Sequence, residues 1–312
     1  MPSVRSPILV LSLGLVSLSL LQCTGGGAEP VVPGPPAPPP PLPCVPAPAP
    51  ESTAHPAAPD VAAVHGGHEG AHGGAEASHG ALPHWSYAGE QGPLSWGDLS
   101  PEFAPCKTGT RQSPIDIPAR EVDVDRSGHA LEFSYRSPLP LQIFNNGHTV
   151  QVQNGGRLAI RVGEEEWKLV QLHFHSPSEH AIDGKLYDME MHLVHANEHG
   201  ELSVVGLLFK RGKENKALAE VFEHMPAEVT KEAEPVAGAS VDLAKVLPPK
   251  PAYYAYSGSL TTPKCTEGVH WYVLKPIAEI SDVQLQKFRM ATHGDTNRPV
   301  QPLGARKVTR SN

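Results

Sequence analysis

The chain has 312 residues, 34 of them proline, and a formal net charge of −8 at pH 7. Residues 1–83 hold one basic residue, Arg5, and five acidic ones, which leaves 24 basic and 28 acidic residues over 84–312. That near balance lacks the basic excess of a nucleic-acid-binding protein and fits a soluble, mixed-charge surface, so no nucleic-acid partner is expected.

The first elements are not those of a globular domain. Residues 8–21 form an apolar run behind Arg5. A membrane span needs ~20 apolar residues, whereas a charged start and a shorter apolar run read as a secretory signal. Leu20-Leu21-Gln22-Cys23 follows directly. It resembles the cleavage and lipidation site of bacterial lipoproteins, in which the cysteine becomes the acylated first residue. Gln22 departs from that pattern, where a small residue is usual, and ordinary signal cleavage after Ala28 is the other reading. Residues 1–23 are assigned as a signal peptide with lipidation at Cys23. The expected product is exported, periplasmic or in the cell envelope, and held to the membrane by its lipid anchor only.

Residues 24–83 read as a linker. Its 30–50 stretch is dominated by Pro and Ala, a composition that cannot make helix or sheet ladders and favours extended polyproline II. Such a spacer holds a domain off a surface. His55, His65, His68, His72, His79 and His84 then alternate with Gly and Ala. Nothing there can bury a core, so disorder is expected. Clustered imidazoles also capture zinc weakly; a solvated low-complexity linker is the plainer reading.

From 84 to 312 the composition is that of one globular domain. An export signal permits disulfides, but the four cysteines, Cys23, Cys44, Cys106 and Cys265, allow three pairings. A Cys106–Cys265 bridge would close a long loop and stabilise by ~4–5 kcal/mol in the chain-entropy model. Cys44 is then free or pairs between molecules, and Cys23–Cys44 becomes the pair if no lipid is attached. Strand signals dominate. Leu141–Phe144 and His148–Gln153 flank Asn145-Asn146-Gly147, and Asn-Gly supplies the positive φ angles of a tight hairpin. Further strands are expected at 157–162, 167–175, 187–195, 203–210, Tyr253–Leu260 and His270–Pro276. Lys216–Met225 carries a helical apolar stripe stopped by Pro226. Ser281-Asp-Val-Gln284 fits a capping box opening a helix through Met290. The Ala/Pro-rich 226–252 reads as a long surface connection. The fold class is mostly β: a large, central, mainly antiparallel twisted sheet with short peripheral helices.

The chemistry concentrates in Gln171-Leu-His-Phe-His175 and Glu190-Met-His192. Side chains on a strand alternate faces, so Gln171, His173 and His175 share one face, as do Glu190 and His192 on theirs. Three imidazoles suffice for a tetrahedral zinc with one open position. Metal-bound histidines pass their second N–H to a carboxylate, amide or carbonyl, which Gln171 and Glu190 are placed to accept. The plainer reading, hydrogen-bonded structural histidines, weakens once a third His joins the His-x-His pair. No His-Glu-x-x-His occurs, so the helix-borne metalloprotease site is absent. His173-Phe-His175-Ser-Pro-Ser-Glu179 resembles the first cupin motif, in which Glu179 would be a ligand, but the Pro-x-Gly of the second cupin motif is missing before His192.

A wider set of motifs decides the matter. His84-Trp-Ser-Tyr87, Gly92-Pro-Leu-Ser-Trp96, Arg111-Gln-Ser-Pro-Ile-Asp-Ile117 and Asn145-Asn-Gly-His148 come first. Gln171–His180, Glu190-Met-His-Leu-Val-His195, Ser259-Leu-Thr-Thr-Pro263, Trp271 and Arg298-Pro-Val-Gln-Pro-Leu303 complete the order. Together they resemble the α-class carbonic anhydrases, and Ser176-Pro177 and the Cys106/Cys265 pair are more like bacterial members, with that pair as a disulfide.

The resemblance implies a zinc enzyme, a lyase that hydrates carbon dioxide reversibly to bicarbonate and a proton by zinc-hydroxide attack. It implies zinc on His173, His175 and His192, with Gln171 and Glu190 behind them. It implies that Thr261 takes a hydrogen bond from the hydroxide and donates to Glu179, which orients the nucleophile. Thr262 lines the polar side. Val194, Val204, Leu260 and Trp271 form the apolar wall for carbon dioxide, or simply pack the core. His148 matches the proton shuttle, and Tyr87 orders the connecting water. A water of pKa ~7 releases its proton to solvent at only about 10³ s⁻¹, so turnover towards ~10⁶ s⁻¹ needs a carrier titrating near neutrality. His180, His195 and His199 read as structural or surface residues. A homodimer stays open. A non-catalytic zinc-binding or adhesion module on the same fold is the alternative from another class.

Overall fold

The computed structural model describes residues 82–126, 129–153, 156–247 and 251–311. The signal, Cys23, Cys44, the Pro-rich spacer and the first five histidines of the run lie outside them. Among the described residues no helix is long and apolar enough to cross a membrane.

Fifteen strands form among the described residues. They are β1 (Asp116–Ile117), β2 (Asp123–Val124), β3 (Leu131–Phe133), β4 (Leu139–Asn145), β5 (Val150–Gln153) and β6 (Ala159–Val162). Next come β7 (Glu165–His175), β8 (Ala181–Ile182), β9 (Met189–Ala196), β10 (Leu202–Arg211) and β11 (Glu234–Val241). The last are β12 (Tyr253–Ser259), β13 (Glu267–Leu274), β14 (Ala278–Ile280) and β15 (Thr309–Arg310). Thirteen of them build one sheet along the order β11-β4-β5-β7-β9-β10-β13-β12-β15-β2, with β14 on β10 and β3 on β6. The sheet is mixed: most pairs are antiparallel, but β10 runs parallel to β13 and β14, and β15 parallel to β2.

The centre of the sheet sets the site. β7 and β9 pair antiparallel with His173 opposite His192 and His175 opposite Glu190. The register shifts between Leu169 and Gln171. An extra residue there switches the faces of β7, because side-chain alternation has period two. Before the shift Trp167 and Leu169 face the main core; after it Leu172 and Phe174 do. That leaves Gln171, His173 and His175 on the opposite face, beside Val194 and Val204, which belong to a second apolar cluster around Trp271. The main core collects the other side of β9 and β10 (Met191, Leu193, Val205, Leu207) and the helices behind it.

The capping box at Ser281 and Gln284 opens the helix Asp282–Ala291 as expected. The expected 216–225 helix is shorter, a 3₁₀ turn Lys216–Leu218 and one α-turn Ala219–Glu223. In the hairpin, Asn145 pairs with Val150, so the loop is longer than a two-residue Asn-Gly turn. Asn146 Oδ1 accepts the N–H groups of His148 and Thr149 at 2.9 and 2.8 Å, and Gly147 takes φ 84°.

One expectation is corrected: 226–252 is not a bare connection. It holds β11, the sheet edge on β4, and the short helix Leu243–Val246. Pro235 and Gly238 hid the strand, yet an edge tolerates Pro, and Ala239, Val241, Leu243 and Val246 pack into the main core.

Candidate metal centre

His173, His175 and His192 each offer a ring nitrogen to a common point, with the three atoms within 4.8 Å of one another. Each ring is held from behind. His173 Nδ1 lies 2.8 Å from Gln171 Oε1, His175 Nδ1 2.6 Å from the Thr296 carbonyl, and His192 Nε2 2.9 Å from Glu190 Oε1. All three partners are acceptors, so each outer nitrogen carries the proton and the inner one keeps its lone pair. His175 Nε2 is buried with no hydrogen-bond partner among the described residues. Burial lowers all three rings, His175 to about 4, so each is neutral at pH 7. Three neutral imidazoles at this spacing fit zinc.

Glu190 is the hub behind the site. Oε1 takes the rings of His180 and His192 at 2.7 and 2.9 Å; Oε2 takes the backbone N–H groups of Glu179 and His180 at 2.9 and 2.8 Å. Burial alone would raise its carboxyl, but the two rings and their hydrogen bonds carry it well below the usual range. His180, read from sequence as structural or surface, is buried and continues the chain. Its Nε2 meets the Tyr256 hydroxyl at 2.7 Å, which meets Ser113 Oγ at 2.9 Å, which accepts Ser259 N–H at 3.0 Å. The line runs from behind His192 to the residue two before Thr261.

Thr261 is buried and Thr262 half-buried on the cavity side of the loop after β12. The loop closes on itself through Leu260 N–H to Thr266 O and Cys265 N–H to Thr262 O, at 2.9 and 2.7 Å. The Cys106–Cys265 disulfide ties it to the helix Pro105–Thr108. Glu179 is fully buried beneath. Its Oε1 accepts Arg298 N–H at 2.9 Å, and Oε2 lies 3.6 Å from His175 Nε2 and 3.9 Å from His192 Nδ1. Burial pushes the Glu179 carboxyl up to about 7, against the pull of His192, the Arg298 N–H and the Thr261 hydroxyl. Arg298 is itself buried, and its guanidinium donates to Gln112 Oε1, Ser113 O and Cys106 O at 2.7–2.9 Å.

The triad opens into a cavity of about 720 Å³. Its lining includes the apolar Val194, Val204, Leu260 and Trp271 and the polar Gln171, Thr261 and Thr262. The four apolar side chains expected to form the wall line this cavity, and they also belong to, or pack against, the second core cluster. Tyr87 lines the cavity too, and its buried hydroxyl has no partner among the described residues. Burial, then Glu179, raise that phenol well above its usual range.

At the mouth, His148 lies flat on Trp85, with ring centroids 3.7 Å apart and planes within 7°. Burial, then the neighbouring His84 ring, lower it to about 4. The near-neutral titration expected of a carrier therefore does not hold for this stacked pose, because the indole takes solvent from the ring. His195 and His199 stand apart from the triad. His195 faces the core and pairs with the Tyr135 hydroxyl, and His199 is exposed.

Sequence reasoning missed Thr296, His180, Tyr256, Ser113, Trp85 and Arg298. The repeated polar pairs Gln112-Ser113 and Ser176-Pro-Ser178 were the available signal, since polar residues beside apolar strands need buried partners.

The family model described as eukaryotic-type carbonic anhydrase matches residues 91–312. A carbonic anhydrase of Pectobacterium atrosepticum is 40% identical over 225 residues, covering 72% of this chain and 90% of that protein. The structure of the α-carbonic anhydrase from Thermovibrio ammonificans with the inhibitor sulfanilamide superposes with a TM-score of 0.69 at 46% identity, covering 72% of this chain and 98% of that one. Dioscorin complexed with ascorbate superposes at 0.67 and 32% identity, over 73% and 98% of the two chains. Folded sheet, triad and relatives agree: the chain belongs to the eukaryotic-type, or α, carbonic anhydrase family.

Proposed function

We propose that this protein is a zinc-dependent carbonic anhydrase that converts carbon dioxide and water reversibly to bicarbonate and a proton. The observation that carries the reading is the triad itself: three lone pairs turned to one point, each ring fixed by an acceptor behind it. Zinc held by His173, His175 and His192 supplies Lewis acidity that brings the pKa of water to about 7.

The remaining parts belong to the chain. Gln171, the Thr296 carbonyl and Glu190 hold the rings in one tautomer. Thr261 directs the attacking oxygen by accepting from it and donating to Glu179, whose Oε1 is already taken by Arg298 N–H. Thr262 adds polarity, and Val194, Val204, Leu260 and Trp271 offer carbon dioxide a dry wall. His148 carries the proton out along water ordered by Tyr87, which requires its ring to leave the Trp85 stack during turnover.

The experiment is stopped-flow hydration of carbon dioxide by the zinc-loaded chain and by His173→Ala. Fast hydration that vanishes in the variant supports the reading, and zinc occupancy without hydration overturns it. That second outcome would favour a non-catalytic zinc-binding or adhesion module on the same fold. The cupin reading rests on the His173–Glu179 spacing alone, because the Pro-x-Gly of its second motif is missing before His192.

The proposal extends to export, a periplasmic or envelope location and an anchor at Cys23, on the strength of Arg5, the apolar run and the following cysteine. Labelled palmitate should enter the protein and not its Cys23→Ser variant; equal labelling of both rules the anchor out.

A further inference from the structure

Resting on the reading of His173, His175 and His192 as a zinc centre, we propose that the histidine run 55–84 is a second zinc-binding segment, which collects the ion weakly and delivers it to the triad. Six of the chain's 17 histidines fall within this run, and nothing in the reaction described above uses them. His65-Gly-Gly-His68 and His68-Glu-Gly-Ala-His72 put two and three residues between successive rings, short spacings of the kind that let one stretch of chain close on one zinc. The glycines between them admit the backbone angles such a chelate needs. Residues 51–84 hold four acidic residues, Glu51, Asp60, Glu69 and Glu76, and no Lys or Arg. No fixed cation there repels a divalent ion, and Glu69 adds a carboxylate inside the tightest group of rings.

The place where the run enters the fold supplies the delivery. His55, His65, His68, His72 and His79 lie outside the described residues. His84, the last of the run, is exposed, and its Nδ1 lies 2.9 Å from Gln91 Oε1. That carboxamide oxygen accepts, so Nδ1 carries the proton and the Nε2 lone pair is left for a metal. Leu82 and Trp85, close on either side, line the same cavity as His173, His175 and His192. Extended chain spans at most about 3.6 Å per residue, so His79 lies within ~11 Å of Leu82 and His72 within ~36 Å. His175 and His192 are no more than 1% exposed, so an ion arrives by way of the cavity, and a loosely held ion tethered at its mouth has an effective concentration towards millimolar. Transfer runs downhill. The triad rings are already fixed by Gln171, the Thr296 carbonyl and Glu190, whereas ordering a Gly- and Ala-rich stretch around an ion costs conformational entropy. Neutral imidazoles ligate at both ends, so the ion exchanges ligands with no redox step and no net release of protons.

The test uses the full chain freed of metal, its His173→Ala variant, and a run variant that combines His55→Gln, His65→Gln, His68→Gln, His72→Gln and His79→Gln. Calorimetric titration with zinc should show one tight site and at least one weaker site in the unsubstituted chain. His173→Ala should lose the tight site and keep the weaker one; the run variant should do the reverse. Loading at limiting zinc is then followed by metal analysis after a brief chelator rinse that strips the weaker site. The run variant should fill the triad roughly tenfold more slowly and reach the same final occupancy. Equal stoichiometry in the unsubstituted chain and the run variant overturns the proposal, and so does weak binding with equal loading rates. Loss of tight binding in the run variant overturns it too, since the run would then belong to the tight site. A chain that loads as expected yet hydrates no carbon dioxide supports this inference while overturning the enzyme reading. A tight site that survives His173→Ala overturns the metal centre and this inference with it.

Discussion

The inner half of the site and its mouth are both built from histidine and aromatic rings, and they are held by different forces. Inside, His175, His180, His192 and Glu190 are each no more than 1% exposed, and hydrogen bonds to a carboxylate or carbonyl fix the rings. At the mouth, His148 rests on Trp85 by stacking. Hydrogen bonds to charged groups contribute about 1.5–3 kcal/mol, whereas ring stacking adds only about 0.5–1.5 kcal/mol. On the proposed function, a metal needs donors that do not move and a proton carrier needs a ring that can change partners, and the difference in holding force matches those two proposed roles.

Three measurements sharpen or break the contrast. The largest effect is expected in acid. His195, on β9 with His192 but facing the core, is held by burial at about 3. Its folded value lies below the ordinary 6.5, so the unfolded chain binds the proton first as pH falls. The stability it lends is complete above pH 6.5 and is lost towards pH 3, by roughly 3 kcal/mol between pH 7 and 4. Urea denaturation should show that loss, reduced in His195→Gln; equal slopes in both would mean that this buried ring is not kept neutral by the fold. Next, Glu190→Gln should weaken zinc binding about 10–100-fold, as loss of an outer partner does, read by competition with a chelator. Unchanged affinity would remove Glu190 from the metal site. The smallest effect is at the mouth: Trp85→Ala should let the His148 titration, followed by NMR, rise from about 4 towards 6.5 while zinc affinity stays the same. A fall in zinc affinity there would erase the distinction between the two halves.

Much of the inner half was legible. His173, His175 and His192 follow from strand alternation because the β7 register shift lies before Gln171; a shift between His173 and His175 would have split the pair. Gln171 and Glu190 were legible for the same reason. Thr296, His180 and Tyr256 were not, since they arrive from irregular segments and distant strands, Thr296 at 121 residues from His175, where periodicity carries no phase. The mouth was the least legible: the family resemblance offered His148 as a carrier, but nothing in the sequence placed it on Trp85, which depends on where the 82–96 segment packs. β11 escaped because Pro and Gly interrupt it, although its buried face follows the usual alternation at Ala239 and Val241.

The central claim is that three inward nitrogens form a zinc centre with Glu179 outside it. Anomalous diffraction at the zinc edge, from crystals of the zinc-loaded chain, tests this most directly. The account predicts one peak at ~2.0–2.1 Å from His173 Nε2, His175 Nε2 and His192 Nδ1, with Glu179 beyond bonding distance. A peak that takes Glu179 as a ligand, or no peak at the triad, would contradict it.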